Sequence, residues 1–349
     1  MAMVKDLPMK VAVVGTTSWG TTLAILMARL GHNVVLWSKT PEEADRLDSD
    51  RENRRFLPGF PFPPSLVVSA SLEDSFPQAK LALFAVPSNT LRANVQQVRD
   101  ALSPDCVVLS ATKGLEANTG LRMSQVLEQE LPGPIKGRTC VVSGPNLSDE
   151  IARERPASTV VASNDPRLAD LVQATLMTPS FRVYTNTDVI GVELGGALKN
   201  VIVLGAGISD GLGYGNNTKA TLITRGLTEI TRLGVKAGAN HLTFAGLAGL
   251  GDLMATSASP LSRNRYVGEQ LAKGRPIKEI LGSMKNVAEG VDTTAAAVKM
   301  AESLKVEMPI TQATYRVLFE GLDPHQAVTE LLGRAPQSEW AGVPQDPTV

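Results

Sequence analysis

Short, uninterrupted apolar runs recur along residues 9–184, and each is separated from the next by a segment able to form a helix or loop. Residues 9–14 are apolar apart from Lys10, a glycine-bounded turn follows, and residues 21–30 carry small and aliphatic side chains at helical spacing up to Gly31. Residues 33–37 (NVVLW) form a second run rich in β-branched residues, completing a βαβ unit of about 30 residues. Runs at 66–68, 80–86, 106–110, 139–142, 158–162 and 181–184 repeat the theme. A strand that is apolar at every position, rather than at every second one, needs cover on both faces. The expectation is therefore an α/β fold with a mostly parallel sheet.

After residue 188 the character changes to Gly, Ala, Leu and helix-compatible polar residues. This predicts two domains, 1–188 around the sheet and 189–349 mainly helical, in keeping with a length of 349 residues at about 100 to 200 per domain. The run from 189 to 208 is long enough for a membrane span, yet it carries Glu193, Lys199 and Asn200. Charges at the centre of a span are costly, so a buried helix and no stable membrane insertion are expected. The segment LPGFPFPP at 57–64 reads as a surface loop near the ligand crevice.

Thirty-four Lys and Arg against 35 Asp and Glu give a net charge of −1, which predicts no nucleic-acid or membrane-surface partner. An anionic ligand must then be held by a few placed groups. Cys106 and Cys140 are too few for a disulfide framework or a four-cysteine zinc site, so no metal is expected. The start shows no basic stretch followed by an apolar run, which makes the cytoplasm the expected compartment. With only His32, His241 and His325, a histidine base has few places to sit.

Residues 11–24 (VAVVGTTSWGTTLA) place Gly15 just after the first strand and Gly20 at the start of the first helix. A strand, a tight turn and a helix N-terminus offer backbone N–H groups and a positive dipole end to a pyrophosphate, as in Rossmann-type dinucleotide sites. Thr17 replaces the second glycine of that pattern, so the turn alone reads equally as cofactor site or structural turn. Beyond the second strand come Ser38 and Lys39, where an NAD site normally places an acid. A hydroxyl and a cation favour NADP over NAD, with an ordinary exposed lysine as the other reading of Lys39.

In residues 188–208, Lys199 lies among apolar neighbours, where desolvation lowers an amine's pKa and makes it a proton acceptor near neutrality. The alternative is an ion pair with Glu193 or a side chain that snorkels to the surface. Asn216, Asn217 and Lys219 read as a turn before a helical run at 221–234, in which Arg225 and Glu229 have the spacing of a side-chain pair. Arg263, Asn264 and Arg265 suit a phosphate monoester, or else a solvated basic face.

Eight separated segments together resemble the NAD(P)-dependent glycerol-3-phosphate dehydrogenases of bacterial type: SWGTTLA (18–24), ATKGLE (111–116), SGPN (143–146), ELGGALKNVI (193–202), GNNTKATLITRGLTEI (215–230), GLAGLGDL (246–253), SRNR (262–265) and AEGVDT (288–293). The ending LLGR at 331–334 is similar to cyanobacterial members, and the tail after Gly333 lies outside the resemblance. The resemblance implies that Lys199 is the proton acceptor and that Lys113 holds substrate beside the nicotinamide. It also implies that Asp252 and Thr256 belong to the reacting site and that Ser262, Arg263 and Asn264 grip the substrate phosphate. Gly144 and Asn146 match the loop approaching substrate, with Asn146 in place of a more usual Ser or Thr. Cofactor contacts fall on Gly15, Ser18, Trp19, Gly20, Lys39, Lys113, Ser148, Arg263, Val287 and Glu289. The implied enzyme is a homodimeric oxidoreductase that interconverts dihydroxyacetone phosphate, a small phosphorylated triose, and sn-glycerol 3-phosphate for phospholipid synthesis. The rival readings are a lysine-using hydroxyacid or ketopantoate-type dehydrogenase and a non-catalytic NADPH-binding sensor.

Overall fold

The computed structural model describes residues 8–284 and 287–339. All eight apolar runs are strands of one sheet: β1 Lys10–Val14, β2 Asn33–Trp37, β3 Leu66–Ser69, β4 Leu81–Phe84, β5 Val107–Ser110, β6 Thr139–Ser143, β7 Ala157–Ala162 and β8 Phe181–Asn186. Their spatial order is β3-β2-β1-β4-β5-β6-β7-β8, with every neighbouring pair parallel except β6 and β7. Both faces are covered, as the unbroken apolar runs require. Val11, Val13, Leu83 and Leu109 pack into one core, while Ala12, Val14, Phe84 and Val108 pack into another. The chain leaves β1 toward β2 and β3, then returns to β4 on the other side. That reversal opens a crevice at the carboxyl ends of β1 and β4, where open α/β sheets bind ligands.

The first helix begins earlier than residue 21, running Ser18–Arg29. Thr17 caps it: the Gly20 N–H donates to Thr17 Oγ1 at 3.1 Å. The segment at 57–64 is not a loose surface loop, because Leu57, Phe60 and Phe62 are buried in the sheet core. Its apolar side chains gain more from burial than the prolines lose by refusing regular structure.

Beyond β8 the described chain is helical. The helix Val189–Gly211 is mostly buried inside the protein. It packs most extensively on the helix Arg263–Ala272, and the crossing is made of glycines. A Cβ on Gly207 would lie 2.1 Å from the Arg265 carbonyl oxygen, and one on Gly268 would lie 2.1 Å from that of Leu204. Only glycine permits backbones this close, and the approach brings the start of the second helix beside the middle of the first.

Two local expectations are corrected. Asn216 and Asn217 open the helix Asn216–Lys236 rather than forming a turn, and Lys219 Nζ donates to Asp210 Oδ2 at 2.7 Å. Arg225 and Glu229 do not pair. Buried Glu229 instead accepts the N–H groups of Ile310 (2.7 Å) and Thr311 (3.1 Å) at the start of the helix Pro309–Phe319, and Arg225 donates to the Glu339 carbonyl. Unsatisfied donors at a helix N-terminus are better partners for a carboxylate than a solvated guanidinium.

Candidate active site

The crevice continues into a cleft of about 380 Å³ between the sheet and the helices. Lys113 follows β5, Asn146 follows β6, Lys199 and Asn200 come from the helix Val189–Gly211, and Asp252 and Thr256 come from the helix Asp252–Ala258; all line the cleft. Asp252 is aimed by a single wide π-turn over Leu247–Gly251, in which the Gly251 N–H reaches the Gly246 carbonyl at 3.1 Å.

Lys199 Nζ donates to Asp252 Oδ1 at 2.6 Å and to Thr256 Oγ1 at 2.5 Å. Lys113 Nζ donates to Asp252 Oδ2 at 2.7 Å and to the Gly144 carbonyl at 2.9 Å. Glu193 is not the partner of Lys199; it binds Arg122, the Ser124 N–H and the Ser124 hydroxyl. One carboxylate thus holds two ammonium groups in a site where Lys199 and Asp252 are almost fully buried. Burial pulls the Lys199 amine down to about 8 against the opposing pull of Asp252. Burial also pushes the Asp252 carboxyl up, but the two lysines outweigh it and hold the group below its ordinary value. The result is a buried acid–base amine beside surplus positive charge, suited to an oxygen that becomes anionic during reaction.

Ser262, Arg263 and Asn264, at the start of the helix Arg263–Ala272, line the other side of the same cleft. Asn264 is oriented by Gly290, whose N–H donates to Asn264 Oδ1 at 3.0 Å. Arg265 does not join them; its guanidinium donates to Asp210 (2.7 Å) and pairs with Glu269 (3.1 Å). The helical period turns it onto the face opposite its neighbours.

At the sheet end, Gly15 has φ +117°, and a Cβ there would lie 2.5 Å from the Ala85 carbonyl. Gly20 packs on the Gly15 carbonyl. Thr17 does more than interrupt the glycine pattern, since its hydroxyl donates to the Ala85 carbonyl at 2.8 Å and ties the turn to the end of β4. Ser18 Oγ donates to the Phe56 carbonyl at 2.7 Å. Ser18, Trp19, Ser148, Val287 and Glu289 all line the cleft, whereas Lys39 is exposed beyond β2. Burial pushes the Glu289 carboxyl above its ordinary value, against Arg263 and the two lysines. Trp19 Nε1 and Asn146 Oδ1 are buried without a partner among the described residues, although both residues line the cleft. Such orphaned groups need a ligand or water. A glycine turn, a helix N-terminus and a donor and acceptor left open fit a nicotinamide dinucleotide.

Asn53 and Glu43 were not singled out from the sequence. Buried Asn53 donates from Nδ2 to the Thr16 carbonyl and to Thr21 Oγ1, both at 2.8 Å, and so supports the glycine turn from below. Neither residue has a short-range pattern that marks it, because each acts across a gap between elements.

Residues 10–169 match the family model for the NAD-dependent glycerol-3-phosphate dehydrogenase N-terminus, and residues 188–329 match that for its C-terminus. The chain belongs to the NAD-dependent glycerol-3-phosphate dehydrogenase family. A glycerol-3-phosphate dehydrogenase [NAD(P)+] of Dehalococcoides mccartyi is 49% identical over 334 residues, covering 95% of this chain and 93% of the relative. One of Chlorobium limicola is 47% identical over 331 residues, covering 95% and 99%. The crystal structure of glycerol-3-phosphate dehydrogenase from Coxiella burnetii superimposes with a TM-score of 0.88 at 37% identity, covering 94% of this chain and 99% of that one. A ketopantoate reductase from Ralstonia eutropha shares the fold at a TM-score of 0.57 and 16% identity. The dehydrogenase family, not the ketopantoate-type or sensor alternative, is the one supported.

Proposed function

We propose that this chain interconverts dihydroxyacetone phosphate and sn-glycerol 3-phosphate with NADH or NADPH, supplying glycerol 3-phosphate for phospholipid synthesis in the cytoplasm. The proposed working unit is a homodimer without membrane insertion, each subunit divided at residue 188 into a dinucleotide-binding and a substrate-binding domain. One observation carries the reading: the Lys199–Asp252–Lys113 cluster and the Arg263 helix start share a single cleft.

When bound, the dinucleotide supplies or accepts the hydride at substrate C2. In reduction, the Lys199 ammonium gives a proton to the C2 oxygen as the carbonyl becomes an alcohol; in oxidation, the neutral amine takes that proton back. Lys113 keeps positive charge beside the same oxygen, and Asp252 fixes both amines in place, with Thr256 sharing the Lys199 contact. Arg263 and the N-terminus of its helix hold the phosphate, and Asn264 is oriented alongside by Gly290. Gly15, Gly20, Ser18, Trp19, Ser148, Val287 and Glu289 form the dinucleotide half, and Gly144 with Asn146 closes the junction between the halves.

The test is oxidation of NADH and of NADPH, followed by absorbance, with and without dihydroxyacetone phosphate. Lys199→Ala is expected to lower turnover about 10²-fold or more while leaving the dissociation constants of both dinucleotides unchanged. Near-normal turnover in that variant refutes the assignment. Dinucleotide binding without turnover in the unaltered protein would instead favour a sensor.

A further inference from the structure

We propose that Glu43 selects the cofactor, favouring NADH by holding a carboxylate where NADPH carries its 2′-phosphate. The inference rests on the dinucleotide reading above and reverses the NADP preference suggested by Ser38 and Lys39 in the sequence.

Ser38, buried and just past β2, donates from Oγ to Glu43 Oε2 at 2.8 Å. Thr16, inside the glycine turn, donates from Oγ1 to Glu43 Oε1 at 3.2 Å. The carboxylate is thereby pinned between the phosphate turn and the end of β2. In a doubly wound sheet this is where the adenosine ribose lies and where an acid takes its hydroxyls. The acid here comes from the first turn of the following helix, Pro41–Asp50, instead of the strand end, so the strand-end position alone looks empty of one. Glu43 remains 27% exposed in its side chain and is open to a ligand from the solvent side.

The cations nearby reinforce the choice. Arg46 Nη2 lies 3.7 Å from Glu43 Oε1, and Lys39 is exposed at the same edge. With Glu43 in place, Arg46 is drawn to the carboxylate and a 2′-phosphate meets a like charge; with a neutral side chain there, both cations become available to that phosphate.

The experiment measures dissociation constants for NADH and NADPH by calorimetric titration of the unaltered protein, Glu43→Gln and Ser38→Ala, alongside kcat for dihydroxyacetone phosphate at saturating cofactor. Expected is tighter binding of NADH than NADPH by about tenfold or more, the scale of one like-charge contact near a protein surface. Glu43→Gln should shift the ratio toward NADPH by about the same factor, and Ser38→Ala should shift it less in the same direction. An unchanged ratio in folded Glu43→Gln, or tighter NADPH binding by the unaltered protein, overturns the proposal. If neither dinucleotide binds the unaltered protein, the dinucleotide reading falls, and this proposal with it.

Discussion

Asp252→Asn removes the one carboxylate shared by Lys113 and Lys199 while nearly preserving its shape. Lys199 Nζ lies 2.6 Å from one oxygen and Lys113 Nζ lies 2.7 Å from the other. Unit charges about 4 Å apart at an effective dielectric of about 20 interact by about 4 kcal/mol, an upper guide of about three pKa units. An opposite charge at this range typically shifts a group by about 1 to 3 units. Lys199, already drawn down to about 8 by burial, should therefore fall to about 5 to 7 in the variant. In the proposed mechanism reduction of dihydroxyacetone phosphate needs the ammonium, so its kcat/KM is expected to fall as pH rises through the lysine's pKa. The unaltered enzyme should lose activity above about pH 8, whereas Asp252→Asn should lose it above about pH 5 to 7 and retain between about a half and about a hundredth of it at neutral pH. Glycerol 3-phosphate oxidation needs the free amine, so its acid limb should move down by the same amount. Full pH profiles in both directions, on protein shown to be folded by its thermal transition, are the assay. An alkaline limb still near 8 in the folded variant would refute the idea that Asp252 keeps Lys199 charged. Two lysines without their carboxylate should also cost about 3 to 5 kcal/mol in stability, read from urea midpoints.

Glu229 provides a second pH test. Burial pushes its carboxyl up to about 7 from an ordinary 4.5, so the folded protein binds a proton that the unfolded chain has already lost. Stability from this group is therefore full below about pH 4.5 and is lost as pH rises through about 7, by about 3 kcal/mol in all. Glu229→Gln should flatten that part of the profile in denaturant titrations at pH 5 and 8; an unchanged slope would contradict the assignment. Gly268→Ala should destabilise by about 1 to 3 kcal/mol and raise the KM for dihydroxyacetone phosphate, because its Cβ would meet the Leu204 carbonyl and displace the helix carrying Arg263. A thermal midpoint and KM both unchanged would show that the helices can separate at little cost.

The strands were legible because burial on both faces leaves a mark in every residue of a run, as in LALF at β4 and VVLS at β5. Strand ends moved by a residue or two, since pairing rather than hydrophobicity decides them. The reverse direction of β7 against β6 left no comparable mark. Lys199 stood out because a charge among apolar neighbours is locally unusual. Its partner Asp252 came only from the family resemblance and had no local mark, because Asp252 lies far along the chain and reaches Lys199 only through the packing of two helices. The same distance in sequence explains why Glu229 was assigned to Arg225 in place of the start of the helix Pro309–Phe319.

What the sequence by itself determined was periodicity and chemistry: a sheet covered on both faces, a glycine turn able to meet phosphate, and lysines where histidines are scarce. The tertiary structure decided which charges meet. It gave Asp252 to two lysines, turned Arg265 away from the cleft, and brought Glu43 against a strand end that carries no acid of its own. Local sequence governs backbone preference and side-chain character within a few residues, whereas an ion pair forms only after the fold has brought distant elements within hydrogen-bonding reach.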